Sequence, residues 1–513
     1  MTEDTGMLFA EPLSGATPSI EDLRREARRL HKSYEAGERT ARERLRELPP
    51  RGDGRELKRA DFLQVVARER GFESWPKLKL AAETQGLDRA AKIQRLKIAL
   101  FRGQMPVVQA LLTETPDLAE GLFGLQCALA DLPGVRAALA KTPQLASERL
   151  GPRSPILHLA FSRWHQVHPE LRPVTLEIAE LLVAQGADVN DAQDGAGGEK
   201  LSALYGALCV SRNLDLARWL LEHGASPDDG ESLYHAVEMG TQDGLKLLLE
   251  HGAKPQGTNA LLRALDFNDH GAVELLLAHG ATLDEDAQTI PALHQAVRRG
   301  CDRRMVELLL EAGADPVREW RWVSPYAYAK ALGSRPLVEV LEARGITATL
   351  SREEALMAEA AEGRITKDAY IDPEALPPAY DGLLRGLAGR PDRLEQIAAL
   401  VALGMPYDAP DASDGVTPVQ AAAWEGYPEV MGYFLKLRPD MSHVNAHGGT
   451  LLGTLLHGAE NAPETGERDH LACLSLLLAH GVALPRKAMA MVGRPDIASV
   501  LRDWAEAHPG QVV

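Results

Sequence analysis

The hexapeptide LLEHGA occurs at residues 220–225 and again at 248–253. Close variants recur along the chain: LLVAQGA at 181–187, LLAHGA at 276–281, LLEAGA at 309–314 and LLAHGV at 477–482. The first five copies step by 38, 28, 28 and 33 residues, measured between the glycines Gly186, Gly224, Gly252, Gly280 and Gly313. A period of about 33 residues predicts an array of small structural units, each stacked on its neighbours.

A second signal precedes the repeated tail. This signal is a short apolar helix that contains an alanine. Four residues after the alanine, the helix ends at a residue that tolerates a left-handed backbone. These closing residues are Ser211, Gly240, Asn268, Gly300, Gly333 and Gly426. After Gly240, the leucines Leu245, Leu248 and Leu249 lie at helical spacing and form an apolar stripe. Each unit is therefore predicted to be a pair of antiparallel helices.

These patterns resemble the ankyrin repeat family. The helix-opening motif T-P-L-H-x-A of that family is clearest in TPVQAA (417–422), and PILHLA (155–160) and PALHQA (291–296) keep its Leu and His. The resemblance implies an all-α fold, an ankyrin-like solenoid of stacked helix pairs behind a small helical N-terminal region. It also implies that the stretch between each Gly-Ala tail and the next helix forms a projecting finger.

The beginning of the chain differs from the array. We predict a disordered tail at residues 1–18 and a helical leader at 19–88, in which GFESWPKLK (71–79) resembles the leader of bacterial ankyrin arrays. Residues 1–82 carry 17 basic and 15 acidic side chains, a net charge of +2. The rest of the chain carries 39 basic and 58 acidic side chains, a net charge of −19. A basic helix can bind phosphates, but the interleaved acidic residues favour a solvated face with internal ion pairs.

The remaining segments follow from local patterns. Residues 89–149 are predicted to form two divergent helix-pair repeats, because TPDLA and TPQLA recur there. Ankyrin repeats are predicted at 150–346, a junction at 347–377, and a second ankyrin-like block with a C-terminal cap at 378–513. Within the junction, Ser351 followed by Glu353 and Glu354 predicts a capped helix start.

The composition excludes several classes of protein. The 513 residues are 45% hydrophobic and 25% charged, which is ordinary for a folded chain, and the net charge of −17 disfavours a surface built for nucleic acid or anionic membrane. The cysteines Cys127, Cys209, Cys301 and Cys473 are too far apart to suggest a disulfide framework or a zinc ribbon, so we expect a cytoplasmic location. We also expect neither a signal peptide nor a membrane span.

Most histidines follow the repeat, which predicts structural roles for them. They precede a tail glycine or stand in the helix-opening motif, at His223, His251, His279, His480, His158 and His294. The exception is the insertion WHQVHPELRP, where His165 and His168, followed by Glu170, could ligate a metal without completing a known ligand set. A metal-binding protein or an enzyme using this insertion is therefore an alternative.

Catalytic motifs are missing from the sequence. There is no GxSxG nucleophile elbow, no GxxxxGK[ST] phosphate loop and no GxGxxG after a strand pattern. GAGGEK (195–200) lacks the spacing of a phosphate loop, and HGG (447–449) stands without a nucleophile elbow. We therefore predict no enzyme activity, no catalytic or metal-ligating residues, no cofactor and no small-molecule substrate.

The stretch ADPVREWRWVSPYAYAKA (314–331) carries the candidate binding residues. Trp320, Arg321 and Trp322 should lie near the tip of a finger, and strand-like alternation would place both tryptophans on one face. Tyr328, in the following helix, should face the same groove. Trp, Tyr and Arg dominate binding hot spots. The units that step by 28 residues must have shortened fingers, so the groove between Gly224 and Gly280 should be shallower and we predict a partner footprint centred on residues 285–335. The alternative is that the two tryptophans pack against the neighbouring finger.

The predicted function is that of a non-enzymatic scaffold, adaptor or inhibitor. It would bind another protein through ankyrin fingers and inner helices, because stacked repeats form a long surface rather than a closed pocket. Membrane partners are not expected, and nucleic acid is disfavoured. A second possibility is an immunity-type protein that neutralises a toxin, because the acidic array would suit a basic target.

Overall fold

The structure is a computed structural model that describes residues 19–45, 57, 59–72, 74–75, 78–79, 82, 86–195, 197–284, 289–462, 468–486, 488, 492 and 494–513. The predicted tail at 1–18 and residues 285–288 of the predicted footprint lie outside these residues. By its internal contacts the chain divides into two units, Met1–Ala253 and Lys254–Val513.

The first unit begins with three helices, α1 (Ile20–Glu35), α2 (Arg39–Arg44) and α3 (Arg59–Arg68). Helix α1 packs on α3 and buries Leu23, Ala27 and Leu30, the apolar side of a strongly amphipathic sequence, around the buried Phe62. On the opposite side the basic residues form ion pairs within the leader, such as Arg28 with Glu21 at 2.8 Å. This pairing is the arrangement that the interleaved charges favour.

Helix pairs make up the rest of the first unit. They are α4 (Arg89–Phe101), α5 (Met105–Glu114), α6 (Phe123–Ala128), α7 (Leu132–Lys141), α8 (Pro155–Ala160), α9 (Trp164–Val167), α10 (Arg172–Ala184), α11 (Ala203–Tyr205), α12 (Leu214–Glu222), α13 (Ser232–Ala236) and α14 (Asp243–Glu250). First helices pack in the order α6, α8, α11, and second helices in the order α7, α10, α12. Strands β1 (Ala192–Asp194) and β2 (Lys200–Ser202) form an antiparallel hairpin in one finger.

The second unit repeats the arrangement. Its helices are α15 (Ala260–Asp266), α16 (His270–Ala278), α17 (Ala292–Arg299), α18 (Arg303–Glu311), α19 (Pro325–Leu332), α20 (Arg335–Ala343), α21 (Arg352–Ala361), α22 (Leu383–Ala388), α23 (Leu394–Ala402), α24 (Pro418–Glu425), α25 (Pro428–Lys436), α26 (Leu451–Asn461), α27 (His470–Ala479) and α28 (Pro495–Ala507). First helices pack in the order α15, α17, α19, α21, and second helices in the order α16, α18, α20. This stacking confirms the all-α solenoid of helix pairs.

Most predicted helix ends have the expected left-handed backbone. The φ angles of Gly240, Gly300, Gly333 and Gly426 lie between 69° and 75°. The prediction for Ser211 is wrong, because its φ is −87° and the left-handed residue is Arg212, with φ 56°. Residues Gly206–Val210 form a π turn, in which the Ser211 amide donates to the Gly206 carbonyl at 2.9 Å. The π turn adds one residue, so the left-handed position moves by one.

Local hydrogen bonds support the predicted roles of two further motifs. Ser351 and Glu354 form a capping box at the start of α21, with the Glu354 amide donating to the Ser351 hydroxyl. Each tail histidine donates through Nδ1 to the carbonyl four residues earlier, at 2.7–2.9 Å, in His223, His251, His279 and His480. These bonds close the last turn of the second helices and are structural.

Candidate partner-binding site

The finger at residues 315–323 ends in a tight two-residue turn. The Trp320 amide donates to the Val323 carbonyl at 2.9 Å, and the Val323 amide donates back to the Trp320 carbonyl at 3.0 Å. Between them, Arg321 and Trp322 have φ angles of 47° and 68°. Such turns favour Asn-Gly, and a left-handed backbone at other residues costs about 1–3 kcal/mol each. The tip therefore holds a costly conformation.

The expected placement of both tryptophans on one face is wrong, because the two left-handed residues reverse the chain between them. Trp320 is half-buried, with its ring edge-on to Tyr328 at 6.0 Å between centroids and 5.9 Å from His294. Trp322, by contrast, is 75% exposed. The Arg321 guanidinium carbon lies 5.1 Å from the Trp320 ring centroid. Trp320 thus anchors the finger, and Trp322 and Arg321 form its tip.

Tyr328 does not face an open groove. It is only 4% exposed, and its ring stacks on Tyr380 at 5.8 Å between centroids. Burial raises the pKa of Tyr328 to about 12, so the phenol is neutral. The prediction of an open groove at this residue is corrected, because a later segment of the same chain covers it. Tyr380 belongs to none of the repeat patterns in the sequence, so its contact with Tyr328 could not be predicted from them.

His294 connects the first helix α17 to the next finger. It is completely buried and donates through Nε2 to the Val323 carbonyl at 3.0 Å. Burial lowers the pKa of His294 to about 4, so the ring is neutral near pH 7. The helix-opening histidine is therefore a structural hydrogen-bonding group, and His158 likewise bonds the Leu150 carbonyl at 3.0 Å.

The finger at 315–323 exposes two large apolar side chains together with charged ones. Val317, which sequence reasoning did not single out, is 61% exposed on the same finger as Trp322. Among the charged ones, Arg318 lies 3.4 Å from Asp284. The pKa of Asp284 is raised, chiefly by burial and also by the nearby carboxylate of Asp315, while Arg318 opposes the shift. An exposed indole and an exposed valine on one finger offer apolar surface to a partner.

The insertion that suggested a metal site is organised differently. His165 is buried, and burial lowers its pKa, while His168 donates through Nδ1 to the Glu170 carboxylate at 3.0 Å and packs on Trp164. Glu170 thus bonds a histidine rather than joining a ligand set. In the part of the chain that the structure describes, no group of three or more His, Cys, Asp or Glu residues could hold a metal ion.

Comparison with known sequences identifies the repeats. Residues 173–259 match the family described as ankyrin repeats (3 copies), and residues 291–318 match the family described as ankyrin repeat. The chain contains ankyrin repeats. Ankyrin repeats mediate protein–protein binding and are generally non-enzymatic interaction modules. The second matched range includes Arg318 and ends at the finger that carries Trp322.

A search of solved structures also finds matches to the chain. One is the crystal structure of the ankyrin repeat domain of Bcl-3, described as a unique member of the IkappaB protein family. It shares 25% sequence identity, the match covers 43% of this chain and 97% of that one, and the TM-score is 0.35. No curated protein matches the chain. Within the described residues, no helix has the length and apolar character needed to cross a membrane.

Proposed function

We propose that this ankyrin protein is a non-enzymatic adaptor or inhibitor that binds a protein partner through the finger at residues 315–323. The observation that supports this proposal is the exposure of Trp322. Its indole is 75% exposed, and it lies on a turn whose left-handed backbone is unfavourable for a residue with a large side chain. An indole that is 75% exposed contributes little buried apolar area to the fold. Trp and Arg at such a position supply binding energy when a partner desolvates them.

The charge of the fingers supports a partner with a basic surface. In the first unit, segments 188–202 and 226–231 carry seven acidic and one basic side chain, a net charge of −6. In the second unit, segments 254–259, 282–291, 315–324, 406–417 and 438–450 carry nine acidic and four basic side chains, a net charge of −5. Complementary charge speeds association and selects partners. An immunity-type inhibitor of a basic toxin is one form of this function.

The test begins with affinity capture from native lysate by the full chain, followed by binding measurements with the purified partner. Trp322→Ala removes the exposed indole and leaves Trp320, which anchors the finger, in place. Phe267→Ala is the matched control, because Phe267 is a 40% exposed aromatic residue in the turn between α15 and α16, away from the fingers. We expect Trp322→Ala to weaken binding by about 30-fold or more, the loss typical of a hot-spot residue.

Salt dependence tests the charge of the partner. Affinity of the wild type should fall as NaCl rises from low to physiological concentration, because the acidic fingers then attract the partner less. Equal affinity of wild type and Trp322→Ala for the partner would show that the finger is not part of the binding site. The proposal includes a cytoplasmic location, and fractionation of cells that express the tagged chain tests it.

A further inference from the structure

Arg153, in the finger before α8, is a buried arginine whose charge has no counter-charge among the described residues. Its side chain is 7% exposed, and burial alone lowers its pKa to about 10, so the guanidinium stays positive at pH 7. Its Nε donates to the Gln193 side chain at 2.9 Å, and its other four N–H groups have no partner in the described part of the chain. The terminal nitrogens Nη1 and Nη2 are not fully enclosed, so another molecule can reach them.

Two phenylalanine rings hold the guanidinium in place. Its central carbon lies 4.6 Å from the centroid of the Phe101 ring and 4.3 Å from that of the Phe161 ring. Phe161 is buried, whereas Phe101, the last residue of α4, is 58% exposed. Contacts with aromatic rings attract a cation, but they do not supply the hydrogen-bond acceptors that its N–H groups require. The group is therefore positioned without being neutralised.

The fold does not require an arginine at this position. Arg153 directly precedes the Ser-Pro that opens α8, and the same place before a Ser-Pro or Thr-Pro is taken by Val323 and Val416 in later repeats. The finger turns are alike, since Leu150 pairs with Arg153 as Trp320 pairs with Val323. Val323 is completely buried. An apolar side chain satisfies such a position, whereas a buried charge without a counter-charge is unfavourable. Arg153 therefore points to a role in binding.

The neighbouring surface of α4 adds a second cation and apolar area. Ile98 and Phe101 are three residues apart on one face of this helix, and both are exposed. Lys97 is exposed and forms no ion pair with a described residue. The pKa of His158 is lowered, chiefly by burial and also by the charges of Arg153 and Lys97, so the two cations lie near the same ring. We name these four residues, Arg153, Lys97, Ile98 and Phe101, the Arg153 site.

We propose that the Arg153 site binds an acidic peptide segment of a partner protein. A side-chain carboxylate of that segment accepts from the two terminal nitrogens of Arg153, whose spacing matches two carboxylate oxygens. An adjacent apolar residue of the segment packs on Phe101 and Ile98, and Lys97 attracts the acidic segment. This site takes an acidic group in the first unit, so it stands or falls separately from the finger at 315–323.

Four labelled peptides and the full chain test the proposal. Each peptide is acetylated, amidated and flanked by Gly-Ser, and its centre is Glu-Leu, Leu-Glu, Glu-Phe or Phe-Glu. Matching peptides have Gln or phosphoserine in place of Glu. Fluorescence anisotropy measures their affinities for the purified chain. We expect at least one Glu peptide to bind about tenfold more tightly than its Gln counterpart, because Gln cannot form the charge-assisted pair.

Substitutions locate the binding. Arg153→Met, which has an unbranched apolar side chain, should lower the affinity for the Glu peptide about tenfold, to that of the Gln peptide. Phe101→Ala should lower it about threefold through lost apolar contact. Arg149→Met is the matched control, because Arg149 belongs to the same finger and already pairs with Asp191 at 3.2 Å. It should leave the affinity unchanged.

Thermal unfolding separates binding from folding. Arg153→Met should unfold at the wild-type midpoint or higher, because a buried charge is removed. If this variant does not fold, Arg153→Lys replaces it, and it should also lose most of the preference for Glu, because lysine lacks the paired donors. The proposal is overturned if no Glu peptide binds more tightly than its Gln counterpart, if the arginine variants keep that preference, if Arg149→Met abolishes it equally, or if only the phosphoserine peptides bind.

Discussion

Replacing Gly300 by alanine tests the contact between Arg390 and the end of α17. Gly300 has a φ of 69°, and a Cβ on it would lie 2.7 Å from the Arg390 guanidinium. Gly345, at the end of α20, has a φ of 71°, and no described atom lies within 4 Å of a Cβ built there. Gly300→Ala and Gly345→Ala therefore share the same backbone cost and differ in the contact with Arg390.

The backbone cost comes from the left-handed conformation, which is unfavourable for alanine by about 1–2 kcal/mol. We expect Gly345→Ala to lower the free energy of unfolding by about that amount. Gly300→Ala must also displace Arg390, whose side chain is only 19% exposed. Adding a methyl group to a packed site costs about 1–3 kcal/mol, and we expect about 1 kcal/mol here because the atoms that must move are the end of the flexible Arg390 side chain. The total expected for Gly300→Ala is therefore about 2–3 kcal/mol.

The assay is urea unfolding of four full-length chains: wild type, Gly300→Ala, Arg390→Ala and the double variant, with Gly345→Ala as the reference. In the Arg390→Ala background, Gly300→Ala should cost no more than Gly345→Ala, because the clash is gone. The coupling energy in this double-mutant cycle should be about 1 kcal/mol or more. Equal costs for the two glycine substitutions while Arg390 is present would refute the reasoning.

Three other changes have definite expected outcomes. Arg321→Asn with Trp322→Gly should raise the free energy of unfolding in urea by about 1–2 kcal/mol, because Asn-Gly suits the turn, yet it should weaken partner binding; a loss of stability would contradict the turn geometry. His294 has a pKa of about 4 when folded and about 6.5 when unfolded, so only the unfolded chain gains a proton between these values. The contribution of His294 to the free energy of unfolding should be complete above pH 6.5 and decrease toward pH 4 by on the order of 3 kcal/mol. The free energy of unfolding of His294→Gln should therefore fall less steeply over this range. Parallel pH profiles of the two chains would show that His294 is not the source of the pH dependence. Ser351→Ala should cost about 1 kcal/mol by removing the cap of α21, whereas Ser351→Asp should retain stability in thermal unfolding.

Much of the fold could be predicted because it depends on short-range signals. Gly300 and Gly333 end their helices as expected, since a left-handed closing residue is a local requirement. The capping box at Ser351 is equally local. The error at Ser211 arose because a π turn shifts the register by one residue, and nothing in the repeat pattern indicates such a turn.

The candidate site could be predicted only in part. The sequence places Trp322 in a finger, and its exposure agrees with that position. The separation of Trp320 from Trp322 depends on two consecutive left-handed residues, Arg321 and Trp322, which few sequences adopt. The burial of Tyr328 depends on Tyr380, which belongs to no repeat.

The sequence by itself determined the period, the helix pairs, the structural histidines and the acidic character of the fingers. Each of these features involves residues within one unit or in adjacent units, so a regular spacing is enough to reveal them. Only the tertiary structure decided which first helices are covered by distant parts of the chain. Tyr380 packs on Tyr328 of α19, and Arg390 lies against Gly300 at the end of α17. Such pairings between residues far apart in the chain follow from packing and charge in three dimensions rather than from any period.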